Sequence, residues 1–308
     1  MFEPEMKQRS AFCAIVGRPN VGKSSILNAL LGQKISIVSS KPQTTRTRIM
    51  GVYTEGDDQL VFLDTPGLLQ PRDRLGDYMK KAVAESVNGV DFCLLVVEAG
   101  TRISPADREL IERFQKQHIP AVLAINKIDM LQDKTPLMEQ IASLSSLFEF
   151  EAVVPVSARD GNGMKELRDE LCKQCQPGEH FFDEDTLTDQ PERVLAAEIV
   201  REKLLRLLDK EVPHGIAVVT ERMREREDNP GIIDVDATIF CERPSHKAII
   251  IGKGGSMLKR VGTYARQDLE KFFDCKINLQ LWVKVKEDWR NKQNLLHAFG
   301  FDSNDFNN

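Results

Sequence analysis

The stretch Gly17-Arg18-Pro19-Asn20-Val21-Gly22-Lys23-Ser24 sets a lysine and a hydroxyl behind two glycines at the spacing G-x-x-x-x-G-K-[ST]. Glycines let a backbone turn tightly with its N–H groups aimed at one point, and a helix opening there adds positive partial charge, so the pattern suits a phosphate cradle. Within it Lys23 reaches terminal phosphates and Ser24 offers an oxygen to Mg²⁺. Gly17, Asn20, Val21, Gly22 and Ser25 complete the cradle. The expected ligand is a nucleoside triphosphate, with an ordinary Gly-rich turn as the alternative.

Three later stretches narrow the ligand. Asp64-Thr65-Pro66-Gly67 puts a carboxylate at the end of an apolar run, suited to holding Mg²⁺ through water beside a γ-phosphate, with Gly67 supplying a backbone N–H. In Asn126-Lys127-Ile128-Asp129, the Asp129 carboxylate can accept two hydrogen bonds from the N1–H and amine of guanine, which adenine does not offer. Asn126 can tie this loop to the cradle, and the Lys127 stem can cover a base face. Backbone N–H groups around Ser157 and Ala158 can bind the guanine oxygen. Each motif is short alone; in this order the set selects GTP and GDP.

These residues need a scaffold that ends strands in one place. Ala11–Val16 is a continuous apolar run suited to a buried strand, and Ser24–Leu31 follows with helical spacing. Val52–Thr54 and Leu60–Leu63 flank a tight turn and read as an antiparallel pair. Beyond Asp77 the pattern alternates helix to Asn88, strand Phe92–Val97, helix Pro105–Gln117, strand Ala121–Ile125, helix Thr135–Phe148, strand Ala152–Val156 and helix Met164–Cys175. Such alternation predicts an α/β fold with a mostly parallel, doubly wound sheet and ligands at the carboxyl ends of its strands.

The C-terminal part has a different grammar. An acidic, polar stretch at 177–190 reads as a linker, and Pro191–Leu208 as an amphipathic helix. Val218–Arg226 and Ile232–Glu242 flank Glu227–Gly231 as a hairpin. Then His246–Ile251 leads into Gly252-Lys253-Gly254-Gly255, a helical pattern over Ser256–Phe273 and a strand over Lys276–Lys286. A G-x-x-G loop between two helices is the constellation of a KH domain, which clamps about four nucleotides of single strand; a plain helix–turn–helix is the alternative. Lys253, Lys259 and Arg260 are the expected phosphate contacts. From Ile251 to Gly300, ten Lys/Arg stand against five Asp/Glu, a local net of +5. Met257, Tyr264 and Phe272 are expected in the core. Glu287–Phe301 reads as a short helix whose Trp289 either contacts RNA or packs on the domain.

The whole chain of 308 residues carries a net charge of −5 with a pI near 5.7, which excludes a wholly basic nucleic-acid coat and leaves room for a local basic face. Its N-terminus lacks a secretory pattern, and no apolar run approaches the roughly 18 residues of a spanning helix. A cytoplasmic chain is expected, with its six cysteines free. Cys172-Lys-Gln-Cys175 is a lone C-x-x-C with no second pair, so neither zinc nor redox chemistry is expected from it.

Together these motifs resemble the Era family of translation-factor-related P-loop GTPases over nearly the whole chain. The resemblance implies a Ras-like GTPase domain over 1–176, a linker over 177–190 and an α+β type II KH domain over 191–308. It implies that 35–48 is switch I, with a Mg²⁺-binding threonine at Thr45, or alternatively Thr44, and that 64–77 is switch II. The catalytic set is then Lys23, Thr45, Asp64 and Gly67, and the Mg²⁺ set is Ser24, Thr45 and Asp64. Leu68 stands where Ras-like enzymes place a water-orienting Gln, so slow intrinsic hydrolysis is expected. Asn20 is similar to an asparagine that holds K⁺ in some of these GTPases; the alternative is that it merely fits the loop's backbone. The implied target is single-stranded ribosomal RNA near the 3′ end of the small-subunit RNA, during small-subunit maturation. A monomer with peripheral inner-membrane contact is also implied. A P-loop kinase, a KH adaptor with a vestigial nucleotide domain, and a module for single-stranded DNA are the competing readings.

Overall fold

The computed structural model describes residues 8–67 and 71–301. Leu68 and the expectation attached to it lie outside the described residues. The chain divides into two compact units, one of residues 8–36, 45–67 and 79–189, the other of 37–44, 71–78 and 190–301.

The first unit is built on a sheet whose strands are β1 (Arg9–Val16), β2 (Ile49–Glu55), β3 (Asp58–Asp64), β4 (Phe92–Glu98), β5 (Ala121–Asn126) and β6 (Ala152–Pro155), in the order β2-β3-β1-β4-β5-β6. Along this order neighbours are parallel except β2 and β3, joined antiparallel through the turn at Gly56. Continuous apolar runs form the central strands because both faces are covered. In β1, Ala11, Cys13 and Ile15 face one core with α1 (Lys23–Leu31) and α5 (Met164–Cys172). Ala14 and Val16 face the other, with α3 (Pro105–Gln117) and α4 (Thr135–Ser145). The period of two along a strand thus builds a three-layer α/β sandwich, and the cradle, D-x-x-G, N-K-x-D and Ser157-Ala158 loops all emerge at the carboxyl ends of strands.

Residues 176–189 run along this unit. Gln176–Pro177 pairs antiparallel with the start of β1 as β7. Gln59 binds the backbone of Phe181 and Phe182, Val52 N–H donates to Leu187 O, and Thr188 donates to Met50 O. The acidic composition that reads as a linker therefore belongs to a strap whose backbone is hydrogen-bonded. Helix α2 spans Arg74–Val87, one turn earlier than its apolar pattern indicates. The carboxylate of Asp73 accepts the Gly76 N–H and so fixes the earlier start, as an N-cap residue does.

The second unit contains α6 (Glu192–Leu207), β8 (Ile216–Glu225), β9 (Ile232–Cys241), α7 (Pro244–Ile251), α8 (Ser256–Phe273), β10 (Lys276–Val285) and α9 (Gln293–Ala298). Its sheet runs β10-β9-β8, with β10 parallel and β8 antiparallel to β9. This order is the type II KH arrangement. Val200 and Leu204 of α6 join Val261 and Ala265 of α8 over Ile216, Ile239 and Val283 of the sheet. Trp289 is buried, donates its Nε1–H to Gly215 O and stacks on Phe301, so this ring packs within the unit.

Two expectations for this unit need correction. Tyr264 is 42 % exposed: the buried stripe of α8 is Val261, Ala265 and Leu269, and Tyr264 lies beside it with the Arg260 guanidinium 5.7 Å from its ring centre. Helix α6 is not simply amphipathic, for Arg201, Glu202 and Lys203 are all buried within it.

Candidate functional site

The cradle closes because its glycines sit where side chains cannot. A Cβ on Gly17 would come within 2.3 Å of Val96 O, and one on Gly22 within 2.2 Å of the Asn126 amide nitrogen. Gly22 also adopts φ 99° as the N-cap of α1, leaving the first N–H groups of that helix for an anion. Lys23 is buried and its Nζ donates to Gly17 O at 3.0 Å and Arg18 O at 2.9 Å, which bends the ammonium back over the loop. Burial lowers its pKa to about 8, opposed by the charge of Asp64.

Beside the cradle, three oxygen donors converge. Ser24 Oγ lies 2.6 Å from Asp64 Oδ2 and 2.9 Å from Thr45 Oγ1. Thr45 and Asp64 are buried, and Asp64 Oδ1 has no hydrogen-bond partner among the described residues. Burial pushes the Asp64 carboxyl up, against hydrogen bonds from Ser24 and Ser36 and the charge of Lys23. A buried, under-satisfied carboxylate with two hydroxyls is a hard oxygen set that fits Mg²⁺, whose charge would favour the ionised form. Thr44, in contrast, donates its hydroxyl to Lys41 O. Gly67 approaches the cradle so closely that a Cβ would come within 2.7 Å of Pro19.

The residues expected to read the base form one frame. Asn126 donates from Nδ2 to Val21 O at 2.9 Å and accepts the Ala158 N–H on Oδ1 at 3.1 Å, so one amide bridges the cradle and the Ser157-Ala158 loop. Ser157 Oγ donates to Asp129 Oδ1 at 2.8 Å and orients the carboxylate. Lys127 adopts φ 68°, and its Nζ pairs with Glu98 at 2.8 Å.

In the second unit, Gly252, Gly254 and Gly255 all have positive φ between α7 and α8. Gly252 packs tightly, since a Cβ there would meet Met257 at 2.8 Å, whereas Gly254 and Gly255 face open space. Lys253, Lys259 and Arg260 are exposed around this loop.

Several contributors escape motif reading. Ser36 donates to Asp64 Oδ2 at 3.0 Å, and Glu98 holds Lys127. Arg18 ties the cradle to the start of α3 through Thr101 and the buried Asp107. The one available signal was positional: Glu98 ends β4 directly opposite Asn126 in β5.

Fold and site together define a guanine-nucleotide-binding P-loop protein with a KH unit after it. In agreement, the 50S ribosome-binding GTPase family matches residues 12–127 and the KH domain family matches 211–290. The chain is 47 % identical to the GTPase Era of Ruminiclostridium cellulolyticum over 299 residues, 97 % of this chain and 99 % of that one. It is 48 % identical to that of Clostridioides difficile over 294 residues, covering 96 % and 99 %. Two solved structures share 39 % identity and cover 96 % of this chain and 99 % of theirs. One is an Aquifex aeolicus Era variant bound to GDP·AlF4⁻, at a TM-score of 0.92. The other is Era in complex with MgGDPNP and nucleotides 1506–1542 of 16S ribosomal RNA, at 0.91. The chain belongs to the Era family of GTPases.

Proposed function

We propose that this chain is a GTP-hydrolysing switch that binds the 3′ region of small-subunit ribosomal RNA through the 252–255 loop and acts in small-subunit maturation. The observation that carries the reading is the presence in one chain of the Ser24–Thr45–Asp64 cluster, the base-reading Asp129 and an open G-x-x-G loop. The Era relative bound to 16S ribosomal RNA supports the choice of target.

Asp129 selects guanine, with Ser157 fixing its rotamer and Asn126 fixing the distance from base pocket to cradle. Lys23 and the N–H groups of 20–25 hold the phosphates. Ser24, Thr45 and Asp64 would hold Mg²⁺, which supplies positive charge against the negative charge that develops on the transferred phosphoryl group. Thr45 and the Gly67 N–H sense the γ-phosphate, and their release after hydrolysis frees segments 35–48 and 64–77. Around the RNA, Gly252, Gly254 and Gly255 admit the sugar-phosphate backbone, and Lys253, Lys259 and Arg260 neutralise it. The GTPase domain spans 1–176 and the KH domain 191–308. Family resemblance supports a cytoplasmic monomer with peripheral inner-membrane contact; no helix of the described residues is long and apolar enough to cross a membrane.

Asn20 is exposed in the left-handed region at φ 64° within the cradle. There its amide oxygen would hold a K⁺ ion, which would supply charge where an arginine finger otherwise does. Phosphate release measured in K⁺ and in Na⁺ at matched ionic strength tests both levels of the reading. GTP but not ATP is consumed, faster in K⁺. Equal rates in the two salts remove the K⁺ site, and no release in either contradicts the hydrolase.

A further inference from the structure

Arg18 is the second residue of the cradle, and its side chain is gripped by the stretch that leads from β4 into α3. Its Nη2 donates to Thr101 Oγ1 at 3.0 Å, and its Nε stands 3.2 Å from Asp107 Oδ2. Both anchors are themselves fixed. Thr101 donates its hydroxyl to Glu98 O at 2.8 Å. Asp107 is 1 % exposed, and the same Oδ2 accepts the Ser104 N–H at 2.9 Å and the Ser104 hydroxyl at 2.8 Å. A carboxylate buried that deeply is costly without a paired cation, and the Arg18 guanidinium is paired with it.

The backbone of Arg18 has a separate task. Its carbonyl accepts the Lys23 ammonium at 2.9 Å, beside Gly17 O at 3.0 Å, and the two carbonyls decide where the ammonium points. Gly17 is held by packing, since a Cβ there would strike Val96 O at 2.3 Å. The peptide bond that carries the Arg18 carbonyl ends in Pro19, which has no N–H to fasten it, and this leaves the Arg18 side chain to tie it to α3. Residues 17–23, 96–101 and 104–107 all belong to the first compact unit.

We propose that Arg18, locked by Thr101 and Asp107, is a positioning residue for Lys23: it holds the carbonyl that aims the ammonium at the phosphates, and so makes the start of α3 a determinant of phosphate affinity. The proposal rests on the reading of Lys23 as the phosphate-binding lysine. A brace that merely keeps the loop folded would instead lower affinity by the same factor whether or not Lys23 is present.

The test is a double-mutant cycle on the full chain with GDP and Mg²⁺, read by calorimetry and, for weak variants, by equilibrium dialysis at millimolar nucleotide. Arg18→Ala is expected to weaken GDP on the order of tenfold, as loss of a supporting partner does in metal sites. Asp107→Asn keeps an oxygen for Ser104 and removes only the charge that grips Arg18, so it shifts affinity in the same direction by less. In the Lys23→Ala background, Arg18→Ala is expected to cost less than about twofold, because the group it aims is gone. Inosine diphosphate, which lacks the exocyclic amine of guanine, reports on the base end, and its affinity relative to GDP stays native in Arg18→Ala. Native GDP affinity in Arg18→Ala overturns the proposal, as does the same loss in both backgrounds or a changed inosine-to-guanine ratio, either of which marks damage not carried by Lys23. Native affinity in Lys23→Ala brings down the phosphate role of Lys23 itself, and the proposal with it.

Discussion

Lys23→Ala is expected to abolish GTP binding at micromolar nucleotide and, with it, hydrolysis, while RNA binding by the KH unit survives. The ammonium is buried at the centre of the cradle, held by the Gly17 and Arg18 carbonyls, and burial lowers its pKa to about 8, so much of its desolvation is already made in the folded chain. Each charge-assisted hydrogen bond lost is worth about 1.5–3 kcal/mol, and a lysine serving two phosphate groups forfeits two of them, on the order of a hundredfold or more in affinity. Alanine also removes the positive charge that Lys23 sets beside Asp64, which raises its carboxyl pKa further and weakens the Mg²⁺ set. Titration with GTP and GDP checks the result. Affinity within a few-fold of the native chain would show that the ammonium does not contact phosphate.

Gly254→Asp is expected to weaken single-stranded RNA binding on the order of tenfold or more without disturbing the fold. At φ 58° the position is left-handed, which Asp tolerates better than most residues, and a Cβ there meets nothing within 4 Å. The substitution therefore acts on the ligand: it fills space that a backbone phosphate approaches and adds a like charge beside Lys253. Gly252 makes a poor test of the same idea, because its Cβ would press on Met257 and the loss could come from misfolding. Filter binding at fixed salt, with circular dichroism as the fold control, reads the effect. Unchanged affinity would contradict the clamp.

The chemistry was more legible in the sequence than the framework that tunes it. Strands end where their apolar runs end, so the loops carrying Lys23, Asp64, Asp129 and Ser157 could be located from periodicity, and the bridge made by Asn126 followed from its place between two such loops. Contacts that depend on register or on distant chain were not legible. Glu98 meets Lys127 only because β4 and β5 align, and Ser36 reaches Asp64 across 28 residues of sequence. The amphipathic reading of 191–208 leaves out the buried charges of α6, since nothing local to Arg201 or Glu202 reveals that their partners include backbone atoms some 160 residues earlier. The strap at 176–189 reads as a linker because most of its hydrogen bonds are made by its backbone, which composition does not record.

The central claim is a nucleotide switch that acts on ribosomal RNA. The most direct measurement crosslinks the full chain to total cellular RNA after loading it with a non-hydrolysable GTP analogue or with GDP, and sequences what is captured. The prediction is enrichment of the 3′ end of small-subunit ribosomal RNA, with a yield that differs between the two nucleotides. Capture spread over unrelated RNAs, or equal capture at the 3′ end in both states, would contradict it.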